Sequence, residues 1–299
     1  MTPLPPFSFE LSAEIFTDGD KQIRNYHNGK FQQVIRVYDK LVLARVKSLS
    51  SVSKPRLCVE LTSNKKITDE DKKEAEKIIN VLFNLNFDLA PFYEEVKKDK
   101  IMAQIIKRLH GLKSPTTQFA FEALIDSIIE QQISLKVANT FERKLTKKFG
   151  DSLCLDGEIH YAYPKPESLA SASKQELRNI GLSLRKAEYI QAVSTLVAEG
   201  KLDLETLKTC ENVDYIIQEL DKIRGVGVWT AELTMIRGMQ RFEALPADDL
   251  GLRRTISHYY SGGKIINSKE ARQIAKGWGR WKGLAAYYLI VAEILGVEL

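Results

Sequence analysis

Residues 220–254 read Leu220-Asp-Lys-Ile-Arg-Gly-Val-Gly-Val-Trp-Thr-Ala-Glu-Leu-Thr-Met-Ile-Arg-Gly-Met-Gln-Arg-Phe-Glu-Ala-Leu-Pro-Ala-Asp-Asp-Leu-Gly-Leu-Arg-Arg254. Just upstream, Val213, Ile216, Ile217, Leu220 and Ile223 fall at helical spacing. Gly225-Val226-Gly227 stops that helix, because glycine accepts backbone angles that other residues resist. A second helix is predicted from Val228 to about Met239. Its first-turn N–H groups have no partner inside the helix, and its dipole points its positive end outward. Glycines without side chains let a phosphate approach those amides, and Lys222 and Arg224 flank the place. A Gly-x-Gly alone favours a plain packing corner with a glycine C-cap.

The acidic pair downstream narrows the choice. Pro246 marks an extended entry, and Asp is a preferred N-cap, so Asp248 or Asp249 opens a further helix. The dipole and the amides there keep a carboxylate ionised. A cap alone does not call for a hairpin and a Trp upstream.

The hairpin, then Trp229-Thr-Ala231, then Leu245-Pro246-Ala-Asp248 resembles the helix-hairpin-helix DNA glycosylases, and within them the 3-methyladenine DNA glycosylase II branch of alkylation repair. The resemblance covers roughly residues 110–295 well and the earlier part loosely. It implies that the catalytic carboxylate is the Asp two residues after the Pro, here Asp248 rather than Asp249. Members that also cut the strand carry a Lys where this chain has Trp229. Its amine would attack C1′. Trp offers no nucleophile, so the expectation is a monofunctional enzyme that flips out alkylated purines, hydrolyses the N-glycosidic bond and leaves an abasic site. An aromatic pocket residue of the bacterial relative falls at Leu233, which opens the alternative of hypoxanthine or other lesions; an oxidised-purine glycosylase with lyase activity is a separate alternative, against which the missing Lys counts. A non-catalytic DNA-binding module is the remaining alternative.

The resemblance also implies a wedge that fills the hole left by the flipped nucleotide. Within the apolar stripe of 119–149, Gln131-Gln132-Ile133-Ser134 is the polar break. Gln132 takes the wedge position, where the best-known bacterial member has an apolar residue. Ser134 and Lys136 are placed to reach phosphates, as are Gly225, Val226, Gly227 and Val228 of the hairpin. In the closing segment, Trp278-Gly-Arg-Trp281 matches a Trp-rich stretch whose second Trp lines the base pocket. Trp281 is therefore either pocket or core. Arg185 and Lys186, in the run Gly181-Leu-Ser-Leu-Arg-Lys-Ala187, either touch DNA or are the exposed bases of a packing helix.

Outward from these motifs, the fold class expected is α+β: a small antiparallel sheet domain over residues 1–110, then a helical domain over 111–299 with its active site in a cleft between helical halves. Residues 7–62 read as strands. Phe7, Phe9 and Leu11 alternate with polar residues, Asn28-Gly29 suits a type I′ hairpin, and 31–38, 41–46 and 57–61 are apolar or β-branched runs. Thr68-Asp-Glu-Asp71 is a capping-box start for a helix through Leu85. Pro91 is expected to start a turn in a basic helical crossing over 87–112, and residues 111–115 to form a linker. Gly181 ends one short helix, and another spans 184–199.

The chain has 299 residues, 44 % hydrophobic and 28 % charged, with a net charge of +5. That excess suits a polyanionic partner. The expected partner is double-stranded DNA with damaged bases, bound by a monomer with no membrane involved. Cys58, Cys154 and Cys210 form no C-x-x-C, and the four histidines show no metal spacing, so zinc-ribbon and iron–sulfur functions are excluded. No cofactor is expected beyond a monovalent cation that the resemblance places on hairpin carbonyls near Ile223 and Val226. Without a signal-like start or a membrane-length apolar run, an intracellular protein is expected.

Overall fold

The computed structural model describes residues 1–17 and 19–299. The chain begins with helix α1 (Phe9–Phe16), then an antiparallel meander in the order β1 (Arg24–His27), β2 (Lys30–Val37), β3 (Lys40–Ser48) and β4 (Leu57–Thr62). Asn28 and Gly29 both take positive φ, 50° and 73°, as a type I′ turn requires. His27 therefore pairs with Lys30. Helix α2 (Asp69–Leu82) starts at a full capping box between Thr68 and Asp71 and lays Ala75, Ile78, Ile79 and Leu82 on the sheet's core.

Three expectations for this region need correction. The strand predicted from Phe7 to Ser12 is α1: Phe9, Ser12, Ala13 and Phe16 recur at helical spacing, and that stripe outweighs the local alternation. Phe9 meets Phe83 at 5.4 Å and Phe16 stacks on Phe31 at 5.8 Å. The helix expected to reach Leu85 ends at Leu82, where Asn84 turns the chain with φ 53°. Pro91 opens a helix rather than a turn, sitting in the first turn of α3 (Ala90–Val96), where no N–H is needed.

α3 and α4 (Lys100–Arg108) precede the expected boundary at residue 110, yet Phe92, Val96, Met102 and Ile105 lie in the core of the helical part. Residues 111–115 are not a loose linker. Lys113 is buried and its Nζ donates to the carbonyls of Leu4 at 2.9 Å and Leu85 at 2.7 Å.

The helical part continues with α5 (Ala120–Glu130) and α6 (Leu135–Phe149), then a hairpin that sequence reading passed over, β5 (Ser152–Leu155) and β6 (Glu158–Tyr161). Its Asp156-Gly157 turn has φ of 49° and 83°. Leu153 and Ala162 pack on Val34 and Leu43 of the sheet and form a small separate cluster there. Then follow α7 (Pro166–Ser171), α8 (Lys174–Asn179), α9 (Leu184–Ala198), α10 (Leu204–Lys208), α11 (Val213–Asp221), α12 (Val228–Met239), α13 (Leu250–Ser261) and α14 (Ser268–Ala275). A 3-10 segment over Lys276–Trp281 leads to α15 (Lys282–Ile294). Among the described residues no helix is long and apolar enough to cross a membrane.

α12 runs against α5 in antiparallel fashion. A Cβ on Gly238 would lie 2.7 Å from the Ala123 Cβ, Thr234 Oγ1 is 3.5 Å from Ser127 Oγ, and Thr230 Oγ1 accepts from Gln131. Small residues at these crossings let the backbones approach closely. The start of α12 is thereby set beside the end of α5.

Candidate active site

α11 and α12 form the predicted hairpin. Gly225 takes φ 93°, and a Cβ there would fall within 2.5 Å of the Tyr189 ring, so both backbone angle and packing demand glycine. Gly227 is different: its φ is −95° and a Cβ would meet nothing within 4 Å. Glycine at 227 leaves open space in front of the first helical turn. The first intrahelical bond runs from Ala231 N–H to the Gly227 carbonyl at 2.9 Å, so the N–H groups of Val228 and Trp229 precede it and face outward at the positive end of the dipole. Val228 and Gly227 are exposed. Val226 departs from expectation. Its side chain is buried and its N–H donates to the Ile223 carbonyl at 2.9 Å, so it closes the turn and offers no amide to a phosphate.

Trp229 is half-buried in the first turn of α12, with Leu233 one turn on, also half-buried. Between them Glu232 is buried, a residue that sequence reading did not single out. Burial pushes its carboxyl upward, and the Arg272 guanidinium opposes that shift. Arg272, from α14, donates Nη1 to Glu232 Oε1 at 2.9 Å and Nη2 to Oε2 at 3.1 Å. The same Nη2 lies 3.9 Å from Asp248 Oδ2.

The two aspartates divide their roles. Asp249 is the N-cap of α13, accepting from Leu252 N–H at 2.7 Å. Asp248 makes no cap bond; its side chain is 59 % exposed and ends an otherwise buried run, Ala244 to Ala247. Asp248 thus keeps an accessible carboxylate free of capping duty, whereas Asp249 is engaged by its helix.

Trp281 is half-buried, between Phe87 (5.7 Å, edge-on) and Phe92 (6.3 Å), with the Arg280 guanidinium 4.6 Å from its ring centre. Trp278 is the fully buried one, its Nε1 donating to Asp99 Oδ2 at 3.2 Å. Gly283 binds the Trp281 end of α15 to the loop before Asp248, donating to the Phe242 carbonyl at 2.8 Å. A Cβ on Gly283 would lie 2.8 Å from the Ala244 carbonyl and 3.0 Å from Ile236 of α12. α12 is thus the common support: it carries Trp229 and Glu232, Arg272 reaches from Glu232 toward Asp248, and the Trp281 segment packs on Ile236.

The wedge candidates lie on the other side of α12. The sequence left open one helix or two over 119–149; the chain forms two, broken at Gln131–Ser134. Gln132 takes φ 57° and is exposed, as are Ser134 and Lys136. Gln131 points inward, donating to the Gly225 carbonyl at 2.8 Å and to Thr230 Oγ1 at 3.0 Å. Arg185 is exposed, whereas Lys186 turns away from solvent to donate to the carbonyls of Ile129 and Gln131. Among the described residues no cluster of His, Cys, Asp and Glu side chains is arranged to hold a metal. In the hairpin the Gly225 carbonyl accepts from Gln131 and the Ile223 carbonyl accepts from the Val226 N–H.

Comparison with known proteins agrees with this architecture. Residues 125–280 match the family model described as HhH-GPD superfamily base excision DNA repair protein, and residues 19–124 match that of the 8-oxoguanine DNA glycosylase N-terminal domain. The chain is 30 % identical over 253 residues to a DNA-3-methyladenine glycosylase of Bacillus subtilis, covering 83 % of each. A 3-methyladenine DNA-glycosylase from Archaeoglobus fulgidus superposes with a TM-score of 0.86 at 24 % identity, over 99 % of this chain and 98 % of that one. An 8-oxoguanine glycosylase/lyase of Clostridium acetobutylicum, bound to double-stranded DNA, superposes with 0.76 at 20 % identity, over 98 % and 94 %.

Proposed function

The chain belongs to the HhH-GPD superfamily of base excision DNA repair proteins and is a DNA glycosylase, and we propose that it releases alkylated purines, of the 3-methyladenine and 7-methylguanine type, without cutting the strand. The observation that carries this reading is the pairing of an accessible carboxylate, Asp248, with Trp229 at the hairpin position where a strand-cutting member would need Lys.

The chemistry follows from the leaving group. Breaking an N-glycosidic bond builds positive charge on the sugar. One ionised carboxylate near C1′ stabilises that charge and orients the attacking water; Asp248 takes this role. A methylated purine already carries positive charge, so it departs without strong acid help and gains from an electron-rich slot. Trp229 and Trp281 supply that slot by stacking and cation–π attraction, worth about 0.5–2 kcal/mol per contact. The outward amides of Val228 and Trp229, reached across the open space at Gly227, grip a backbone phosphate. A monovalent cation held by the Ile223 and Val226 carbonyls would add positive charge at that grip. Gln132 fills the gap left in the stack, and Ser134 lies beside it for the adjoining phosphate.

Oxidised purine is the second reading, favoured by the match of residues 19–124 to the 8-oxoguanine glycosylase N-terminal domain. Duplexes carrying 3-methyladenine, 7-methylguanine, hypoxanthine or 8-oxoguanine, each incubated with the protein and with borohydride, separate the two. The proposal expects methylpurine release, intact strands and no trapped adduct. Release of 8-oxoguanine with a covalent adduct would replace it with the second reading.

A further inference from the structure

The turn between α5 and α6 is held mainly from outside itself. Gln131 Nε2 reaches across to the hairpin, onto the Gly225 carbonyl at 2.8 Å and Thr230 Oγ1 at 3.0 Å. From α9, Lys186 Nζ donates to the carbonyls of Ile129 at 2.6 Å and Gln131 at 2.7 Å. Those carbonyls belong to the end of a helix, where no intrahelical N–H is left to bind them and a cation is favoured. One helical turn further along α9, Tyr189 covers Gly225 so closely that no Cβ fits. A single face of α9 therefore bears on both the turn and the hairpin. Gln132, between these fixed points, keeps the left-handed φ of 57°, a conformation that a non-glycine residue holds only where its surroundings over-determine it.

We propose that Lys186 and Gln131 are positioning residues that lock the intercalating turn to the phosphate-binding hairpin, so that docking of the hairpin on the DNA backbone sets Gln132 at the height of the base stack. The proposal rests on the reading of this chain as a base-flipping glycosylase. Lys186 then acts through the protein and not as a DNA contact. Its loss leaves Asp248, the two Trp residues and the hairpin amides in place, and loosens only the wedge.

The test compares wild type with Lys186→Met and, as a second variant acting on the other half of the link, Gln131→Ala. Single-turnover base release is measured on two duplexes, one with 7-methylguanine opposite cytosine and one with the lesion opposite an abasic analogue, where little stacking and no pairing must be undone. Binding to undamaged duplex and the fluorescence of 2-aminopurine beside the lesion are read in parallel. Each variant is expected to lose about tenfold or more in rate on the paired lesion. It should stay within about threefold of wild type on the unpaired one, with a weakened fluorescence rise and unchanged binding. An equal loss on both duplexes would overturn the proposal, as would weaker binding to undamaged DNA, which would make Lys186 a phosphate contact. If wild type releases no base but still raises the fluorescence in a Lys186-dependent way, the coupling stands and the glycosylase reading falls. No rise even in wild type would overturn the coupling.

Discussion

Arg272 closes both arms of its guanidinium on the Glu232 carboxylate, at 2.9 and 3.1 Å, and its Nη2 stops 3.9 Å short of Asp248. Glu232 thus takes most of the cation's attention and leaves Asp248 accessible. Glu232→Gln removes the competing charge while keeping the shape. Arg272 is then drawn onto Asp248 as its remaining carboxylate partner, and the charge offered to the sugar is reduced. The variant should release methylpurine about tenfold more slowly under single-turnover conditions while binding DNA as before. A rate equal to wild type would show that Arg272 does not respond to Glu232.

The two hairpin glycines should separate fold from grip. Gly225→Ala places a Cβ against Tyr189 and forces a positive φ, so thermal stability should fall by about 1–3 kcal/mol. Gly227→Ala meets open space and an ordinary φ, so its melting should match wild type. Its methyl group nonetheless stands at the approach to the first-turn amides. Fluorescence anisotropy should show weaker DNA binding by about tenfold, the loss of one charge-assisted contact. Normal binding by Gly227→Ala would move the phosphate site elsewhere.

Neighbouring aspartates should respond to opposite assays. Asp249→Ala removes the N-cap bond to Leu252 and should cost about 1 kcal/mol in denaturant unfolding. Asp248→Ala removes no cap and should leave the midpoint within about 0.5 kcal/mol of wild type. If instead Asp248 proves the stabilising residue, the assignment of cap and catalyst is reversed.

Lys113 gives the protein a pH-dependent stability in the alkaline range. Burial pushes its amine down from 10.5 to about 8. The folded state therefore releases this proton earlier than the unfolded chain does, and between pH 8 and 10.5 the unfolded state binds more protons. This residue's contribution is least favourable below pH 8 and improves as pH rises through that window. Melting curves at pH 7.5 and 9.5 should show a smaller alkaline loss for wild type than for Lys113→Met, where the gain is absent. Parallel pH dependences would show that the buried amine does not titrate there.

Much of this was open to reading because local chemistry and tertiary demand coincide. Asn28-Gly29, the Thr68 capping box and Gly225 each require a residue type that few other situations require. Where they diverge, sequence falls short. Three alternating positions from Phe7 suggest a strand, but the stripe continuing to Phe16 makes a helix. The Asp156-Gly157 turn signalled a hairpin as clearly as Asn28-Gly29 did, and its short, half-polar strands hid it. Glu232 and Arg272 lie forty positions apart and meet only in the fold. Trp278 and Trp281 share one short motif, and only packing separates the buried one from the half-buried one. In sequence Lys186 is equally a DNA contact or an exposed base, and its two carbonyl partners, Ile129 and Gln131, are met only in the fold.

The proposed reaction stands on Asp248 as the carboxylate that supports N-glycosidic cleavage. The most direct measurement is release of methylpurines from alkylated duplex DNA by wild type and by Asp248→Asn, with binding of both to an abasic analogue measured alongside. Wild type should release methylpurines, with the variant slowed by a factor of about a hundred or more while still binding the analogue. Equal release by the two proteins would contradict it and pass the role to another group.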